Sequence, residues 1–272
     1  MARFMDLELS RRLECTEGAI ATTFIPVQQR LAPTRGAAWQ DFAGTYAVYD
    51  GPDSPLSQTI ALGLTNPVTE HQLAEIEAFF ESRDCAVMHE ISPLAGVEPL
   101  AMLCDRGYRP CELSTVLIQA LDAPGDEPSA PGVRVRTMQP ADRATWIDTS
   151  IAGWSGDPVI APVMRSIAEI ASSNDAMLHF LAERDGAPIA TGSMGIRDGV
   201  ALLAGASTVP DGRGHGAQTM LLAARLAEAR RRGCELAMMV TAPGSASQRN
   251  AERRGFRVAY TRAKWRRARA VG

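Results

Sequence analysis

Three runs with strand-like patterning, residues 177–184, 188–196 and 200–208, follow one another closely, with Asp185-Gly186 and Asp198-Gly199 in the gaps between them. Asp-Gly between such runs favours a two-residue hairpin turn, because both residues tolerate positive φ. An antiparallel meander is predicted. Beyond Pro210 the period changes: Ala217, Met220, Leu221, Ala224 and Ala227 recur at helical spacing. Arg230, Arg231 and Arg232 crowd the end of that helix, where cations suit the negative dipole end, and Gly233 is placed to terminate it. A strand over 235–241, a helix over about 246–254 and a strand over 256–265 follow. Ahead of the meander the pattern predicts a short strand at 133–136 and helical segments near 141–153 and 158–173. Strand, helix and strand after a meander imply a mixed α/β sheet covered by helices.

The first half ends in a similar order. Strands are predicted at 46–49 and 59–64, and Thr69 with Gln72 forms a capping-box pattern that opens a helix through residue 80. A strand over 86–91, a helix over about 94–105 and a strand over 112–119 complete it. Arg106-Gly107-Tyr108-Arg109 matches Arg254-Gly255-Phe256-Arg257, which suggests a diverged internal repeat. Between the halves, residues 122–132 hold three prolines, two glycines and three acids and have nothing to bury. The expected organisation is a domain over 1–121, a linker over 122–132 and a domain over 133–272.

Composition narrows the function. The 272 residues, 46% of them hydrophobic, suffice for one large or two medium domains. With 31 acidic against 28 basic side chains the net charge is −3, which offers no field for nucleic acid or anionic lipid and makes small ligands the better expectation. The first twelve residues are interrupted by Arg3, Asp6 and Glu8 and do not read as a signal peptide; no apolar stretch of about 18 residues occurs. A soluble cytoplasmic protein is expected, with monomer and homodimer both open. The five cysteines are irregularly spaced and read as reduced thiols, and the scattered histidines give no metal site.

The candidate chemistry lies between the meander and the long helix, in Val209-Pro-Asp-Gly-Arg-Gly-His-Gly216. Glycines at 212, 214 and 216 let the backbone curl so that N–H groups point inward, and the helix that follows adds its positive dipole end. Such a turn binds pyrophosphate. It is not a P-loop, which would end in Gly-Lys-Ser/Thr, nor a Rossmann turn, which would place an acid at the end of the next strand, whereas Glu235 begins it.

The run from Ala206 to Ala217, its helix, and Ser247-Gln-Arg-Asn-Ala-Glu-Arg-Arg-Gly-Phe256 resemble the consecutive cofactor motifs of the GNAT superfamily of N-acetyltransferases, whose loop reads Gln/Arg-x-x-Gly-x-Gly/Ala. The resemblance implies a GNAT-like α/β fold, in two tandem copies of which the first is degenerate, and acetyl-coenzyme A as the acetyl donor. It implies that backbone N–H groups of residues 211–217 (Asp211, Gly212, Arg213, Gly214, His215, Gly216 and Ala217) hold the pyrophosphate. Thr208 and Val209 would border the pantetheine arm, and the helix bearing Ser247 and Asn250 would lie beside the thiol end. The acceptor would be a primary amine of a small molecule or a protein.

Two positions depart from the family pattern. Asp211 stands where Gln or Arg is usual, and Ala251 stands where many members carry a tyrosine that protonates the departing thiolate. Ser247, Asn250 and Ser207 are the polar candidates left for catalysis. The first half has Thr-Asn-Pro-Val-Thr between Leu64 and Glu70 instead of a glycine loop and reads as a non-catalytic companion. A non-catalytic acyl-coenzyme A-binding or regulatory module is the competing reading.

Other side chains have plainer expectations. His215 faces solvent, and Arg213 is open to pairing with a phosphate. Trp146 and Trp154 belong to the core, as do Tyr108 and Phe256. The basic tail Arg262, Lys264, Arg266, Arg267 and Arg269 forms a solvated strand edge.

Overall fold

A computed structural model describes residues 5–52, 54–123, 128–154 and 160–267. In chain order the elements are α1 (Leu7–Thr22), α2 (Phe24–Leu31), β1 (Ala38–Phe42), β2 (Thr45–Tyr49), β3 (Gln58–Ile60), α3 (Glu70–Glu81), β4 (Met88–Ile91), α4 (Glu98–Asp105) and β5 (Tyr108–Ala120). Then come β6 (Val133–Thr137), α5 (Arg143–Ala152), α6 (Ile160–Ser172), β7 (Met177–Arg184), β8 (Ala187–Arg197), β9 (Val200–Thr208), α7 (Ala217–Arg231), β10 (Leu236–Thr241), α8 (Ala246–Glu252) and β11 (Arg257–Arg267).

The chain forms two compact units, residues 1–118 with 240–272, and residues 119–239. This division differs from the contiguous domains that the linker at 122–132 suggests; of that segment, residues 124–127 lie outside the described residues. The cause is the last strand. β11 runs antiparallel to β4 on one side (Ala263↔Ile91) and to β5 on the other (Thr261↔Thr115), so its backbone hydrogen bonds belong to the first unit.

In that unit the strand order is β1-β2-β3-β4-β11-β5, and β3 meets β4 in parallel at Thr59↔His89. Leu73, Ile76 and Phe80 of α3, Leu103 of α4 and Tyr108 of β5 pack with Leu62 in its core. Thr69 caps α3 as expected, accepting from the Gln72 N–H at 3.1 Å, but the Gln72 side chain turns away to donate to the Phe42 carbonyl at 2.6 Å. The strand predicted over 59–64 stops at Ile60, because Ala61 and Gly63 adopt left-handed φ values of 67° and 76°. The helix predicted over 94–105 is likewise interrupted, since Gly96 at φ 89° parts a single turn at Pro93–Ala95 from α4.

Helices α1 and α2 and strand β1 precede every element that the pattern predicts. Asp6 caps α1, accepting from the Leu9 N–H at 2.8 Å. The helix buries Leu13 and Ile20 together with Ser10, Glu14 and Thr16, and those polar positions break the apolar stripe by which a helix is recognised.

They also explain why the basic tail is not a solvated edge. Arg262, at 1% exposure, lies under α1, with Nη1 donating to Glu14 at 2.7 Å, Nη2 to Glu17 at 2.9 Å, and Nε 3.0 Å from Glu90. Over Ala263–Arg266 β11 is paired on both sides, with β4 and with β5, and has no free edge there. Arg269 lies outside the described residues.

In the second unit the order is β10-β9-β8-β7-β6. The meander forms as predicted: Asp185 and Gly186 have φ of 51° and 82°, Asp198 and Gly199 of 47° and 72°, the positive pairs that a type I′ turn requires. Trp146 of α5 is buried with Ala168 and Leu181 and donates to the Phe180 carbonyl at 3.1 Å. Trp154, expected in the core, instead lies just past the end of α5 and is 41% exposed. Leu221, Leu222 and Leu226 provide the buried face of α7. No helix among the described residues is long and apolar enough to cross a membrane.

Candidate functional site

Strand β9 is the scaffold. Its parallel ladder with β10 covers only Val200–Leu203 against Leu236–Met239, while its antiparallel ladder with β8 continues to Thr208. Within the latter, Ala204 opposes Ser193 and Ser207 opposes Thr191, so β9 spends one residue more than β8 between the two pairs. This is a β-bulge, at Gly205 with φ 58°. Past Leu203, β9 therefore leaves the β10 ladder and carries a kink that turns its backbone.

The loop after β9 is narrower as an anion site than seven consecutive N–H groups would make it. Gly212 N–H donates to the Val209 carbonyl at 2.9 Å and Arg213 N–H to that of Pro210 at 3.2 Å, closing a single 3₁₀ turn. From Gly214 the chain opens. Gly214 and Gly216 take φ of 79° and 80°, and the first helical bond of α7 runs from Met220 N–H to the Gly216 carbonyl. Among the described residues, the N–H groups of 214–219 meet no protein acceptor. A Cβ at Gly214 would meet nothing within 4 Å, so the glycine is there for the left-handed backbone and not for want of space. Such donors at the N-terminus of a 15-residue helix suit a pyrophosphate. His215 is exposed, as expected, and Asp211 and Arg213 are exposed as well. Arg213 Nη2 lies 3.3 Å from the Gly153 carbonyl beyond α5.

A side chain that sequence reading passed over ties loop to strand. Gln218, in the first turn of α7, donates through Nε2 to the Ser207 carbonyl at 3.0 Å and to Thr208 Oγ1 at 2.8 Å. Thr208 thus supports the loop through its hydroxyl. The Ser207 hydroxyl donates to the Ser150 carbonyl at 2.9 Å and lies 3.2 Å from Thr191 Oγ1, which engages it in holding α5 to β9. Behind the bulge, His179 Nδ1 and Ser193 Oγ lie 2.9 Å apart, and burial lowers the His179 pKa to about 4.

The remaining candidates, Ser247 and Asn250, lie on α8 in the first unit. Both are exposed, and Asn250 Oδ1 accepts from Arg253 at 3.2 Å. Ala251 is fully buried and its carbonyl accepts the Phe256 N–H at 3.1 Å, so that position supplies packing and a helix cap but no acid.

Residues 145–256, from within α5 to the end of the turn before β11, match the acetyltransferase (GNAT) family. This segment resembles a GNAT domain. The curated proteins compared with the chain contain no match. Among solved structures, a GCN5-related N-acetyltransferase from Kribbella flavida is 19% identical, with 93% of this chain and 96% of that one aligned at a TM-score of 0.65. A tandem GNAT protein from the clavulanic acid biosynthesis pathway is 16% identical, with 94% and 93% covered and a TM-score of 0.60. A GCN5-related N-acetyltransferase from Sphaerobacter thermophilus is 19% identical over 77% and 71% of the two chains, with a TM-score of 0.58. The fold is thus GNAT-like and mixed α/β, and the tandem likeness extends over nearly the whole chain.

Proposed function

We propose that the protein is an acetyl-coenzyme A-dependent N-acetyltransferase that acetylates a primary amine of a small molecule or a protein by direct attack. The observation that carries this reading is the set of open N–H groups at the start of α7, within the segment that matches the GNAT family. Gly214, His215, Gly216 and Ala217 hold the pyrophosphate through their backbone, Arg213 stands beside them, and Thr208 and Val209 border the pantetheine arm. Asp211, exposed at the loop's outer turn, weakens binding without preventing it.

In the reaction the acceptor nitrogen, having lost a proton, forms a bond to the thioester carbon. The carbon–sulfur bond then breaks and the thiolate takes up a proton. Ala251 gives no acid for that last step, so solvent supplies the proton. Holding both substrates in one cleft and donating a backbone N–H from β9 to the developing oxyanion are the contributions expected of the chain.

Buried Ala251 also favours a second reading, a non-catalytic acyl-coenzyme A-binding module. Thiol release from acetyl-coenzyme A with a panel of primary amines separates the two: turnover with at least one amine supports the transferase, and tight binding with no turnover on any amine supports the module.

A further inference from the structure

Arg225 is the unusual residue of α7. It is 2% exposed, and among the described residues no carboxylate pairs with it. Burial alone pulls its pKa down, to about 10, which leaves it charged at neutral pH. A buried cation without an anion is costly and needs compensation from nearby dipoles. Here the dipoles are backbone carbonyls: Leu221 in its own helix accepts from Nε at 3.2 Å, while Nη1 lies 3.4 Å from the Ser193 oxygen and 3.5 Å from the Ala204 oxygen. The sheet makes room for it at Gly192, where a Cβ would come within 3.1 Å of the guanidinium carbon.

Ser193 and Ala204 are the pair at which the bulge begins, and Gly205 is the first residue without a cross-strand partner in the register. In a trans peptide the C=O and N–H point in opposite directions. The guanidinium at the Ala204 oxygen therefore stands behind the Gly205 N–H. A cation close to a carbonyl in a low-dielectric interior polarises the peptide and strengthens its N–H as a donor.

Building on the acetyl-coenzyme A reading above, we propose that Arg225 is a positioning residue for acyl transfer: it fixes the bulge and polarises the Ala204–Gly205 peptide, whose N–H receives the thioester carbonyl oxygen. As the amine nitrogen bonds to the thioester carbon, the carbonyl π electrons move onto that oxygen and are held by the N–H. The nitrogen sheds a proton to solvent, the return of the electrons breaks the carbon–sulfur bond, and solvent protonates the departing thiolate.

The test is isotope-edited infrared spectroscopy of acetyl-coenzyme A, carbon-13-labelled at the thioester carbonyl, bound to the full chain and to Arg225→Met and Arg225→Lys. Methionine suits a buried site, and circular dichroism checks the fold. Wild type is expected to lower the carbonyl stretch relative to free ligand. Arg225→Met loses most of that lowering and Arg225→Lys part of it, with calorimetric Kd little changed, because the loop is untouched; kcat with a productive amine falls about 10- to 100-fold in Arg225→Met.

Equal carbonyl bands in wild type and folded Arg225→Met overturn the role of Arg225 while leaving cofactor binding intact. Should Arg225→Met not fold, a band in Arg225→Lys unmoved from wild type overturns it equally. Failure of wild type to bind acetyl-coenzyme A overturns the cofactor reading itself, and this role with it.

Discussion

Gln218 Nε2 donates to Thr208 Oγ1 at 2.8 Å and fastens the first turn of α7 to the last residue of β9. The same nitrogen reaches the Ser207 carbonyl at 3.0 Å, so one amide spans both sides of the glycine loop. A half-buried hydrogen bond of this kind contributes about 0.5–1.5 kcal/mol. Gln218→Leu is therefore expected to weaken acetyl-coenzyme A binding roughly two- to tenfold by loosening the loop, with only a small drop in melting temperature. Calorimetry alongside thermal denaturation checks this, and an unchanged Kd shows that the bond does not organise the loop.

The carboxylates around Arg262 predict a pH dependence of stability. Glu14 is fully buried and shares one guanidinium with Glu17 and Glu90, and its pKa is raised to about 7, chiefly by burial, against the Arg262 attraction. The folded protein therefore holds this proton more tightly than the unfolded chain does. Its contribution to stability is full below the ordinary glutamate range and is lost as pH rises through about 7. Glu14→Gln keeps an oxygen for Arg262 but cannot ionise. Its melting temperature should fall less than that of wild type between about pH 5 and pH 8. Parallel curves for the two proteins contradict the assignment.

The pairing of β11 predicts how the chain tolerates division. A fragment of residues 133–272 retains β11 but lacks β4 and β5, the strands on both of its sides. Unpaired strand edges associate readily. The fragment should melt without a cooperative transition or aggregate, whereas the full chain melts cooperatively. A soluble, cooperatively folding fragment shows that the C-terminal segment holds its structure without these partners.

These elements also show what could be read from sequence. Asp185-Gly186 and Asp198-Gly199 announced the meander because their backbone preference is local, and the glycines at 214 and 216 announced the loop for the same reason. Helix α1 was not legible, since Ser10, Glu14 and Thr16 stand where an apolar stripe should be, and their burial depends on partners as distant in sequence as Tyr260 and Arg262. Arg262 for its part looks like a surface charge until Glu14, Glu17 and Glu90 are seen around it. Gln218 and Arg225 are likewise ordinary helix residues in sequence. Only the bulge and the end of β9 give them a function.

In the proposed complex the N–H groups from Gly214 onward hold the pyrophosphate of acetyl-coenzyme A. Titration calorimetry of acetyl-coenzyme A into wild type and Gly214→Glu tests this, because the substitution puts a negative charge within the run of those donors at a position where a Cβ meets nothing within 4 Å. Saturable binding to wild type and none to a folded Gly214→Glu is the predicted result; equal affinity in the two proteins would contradict it.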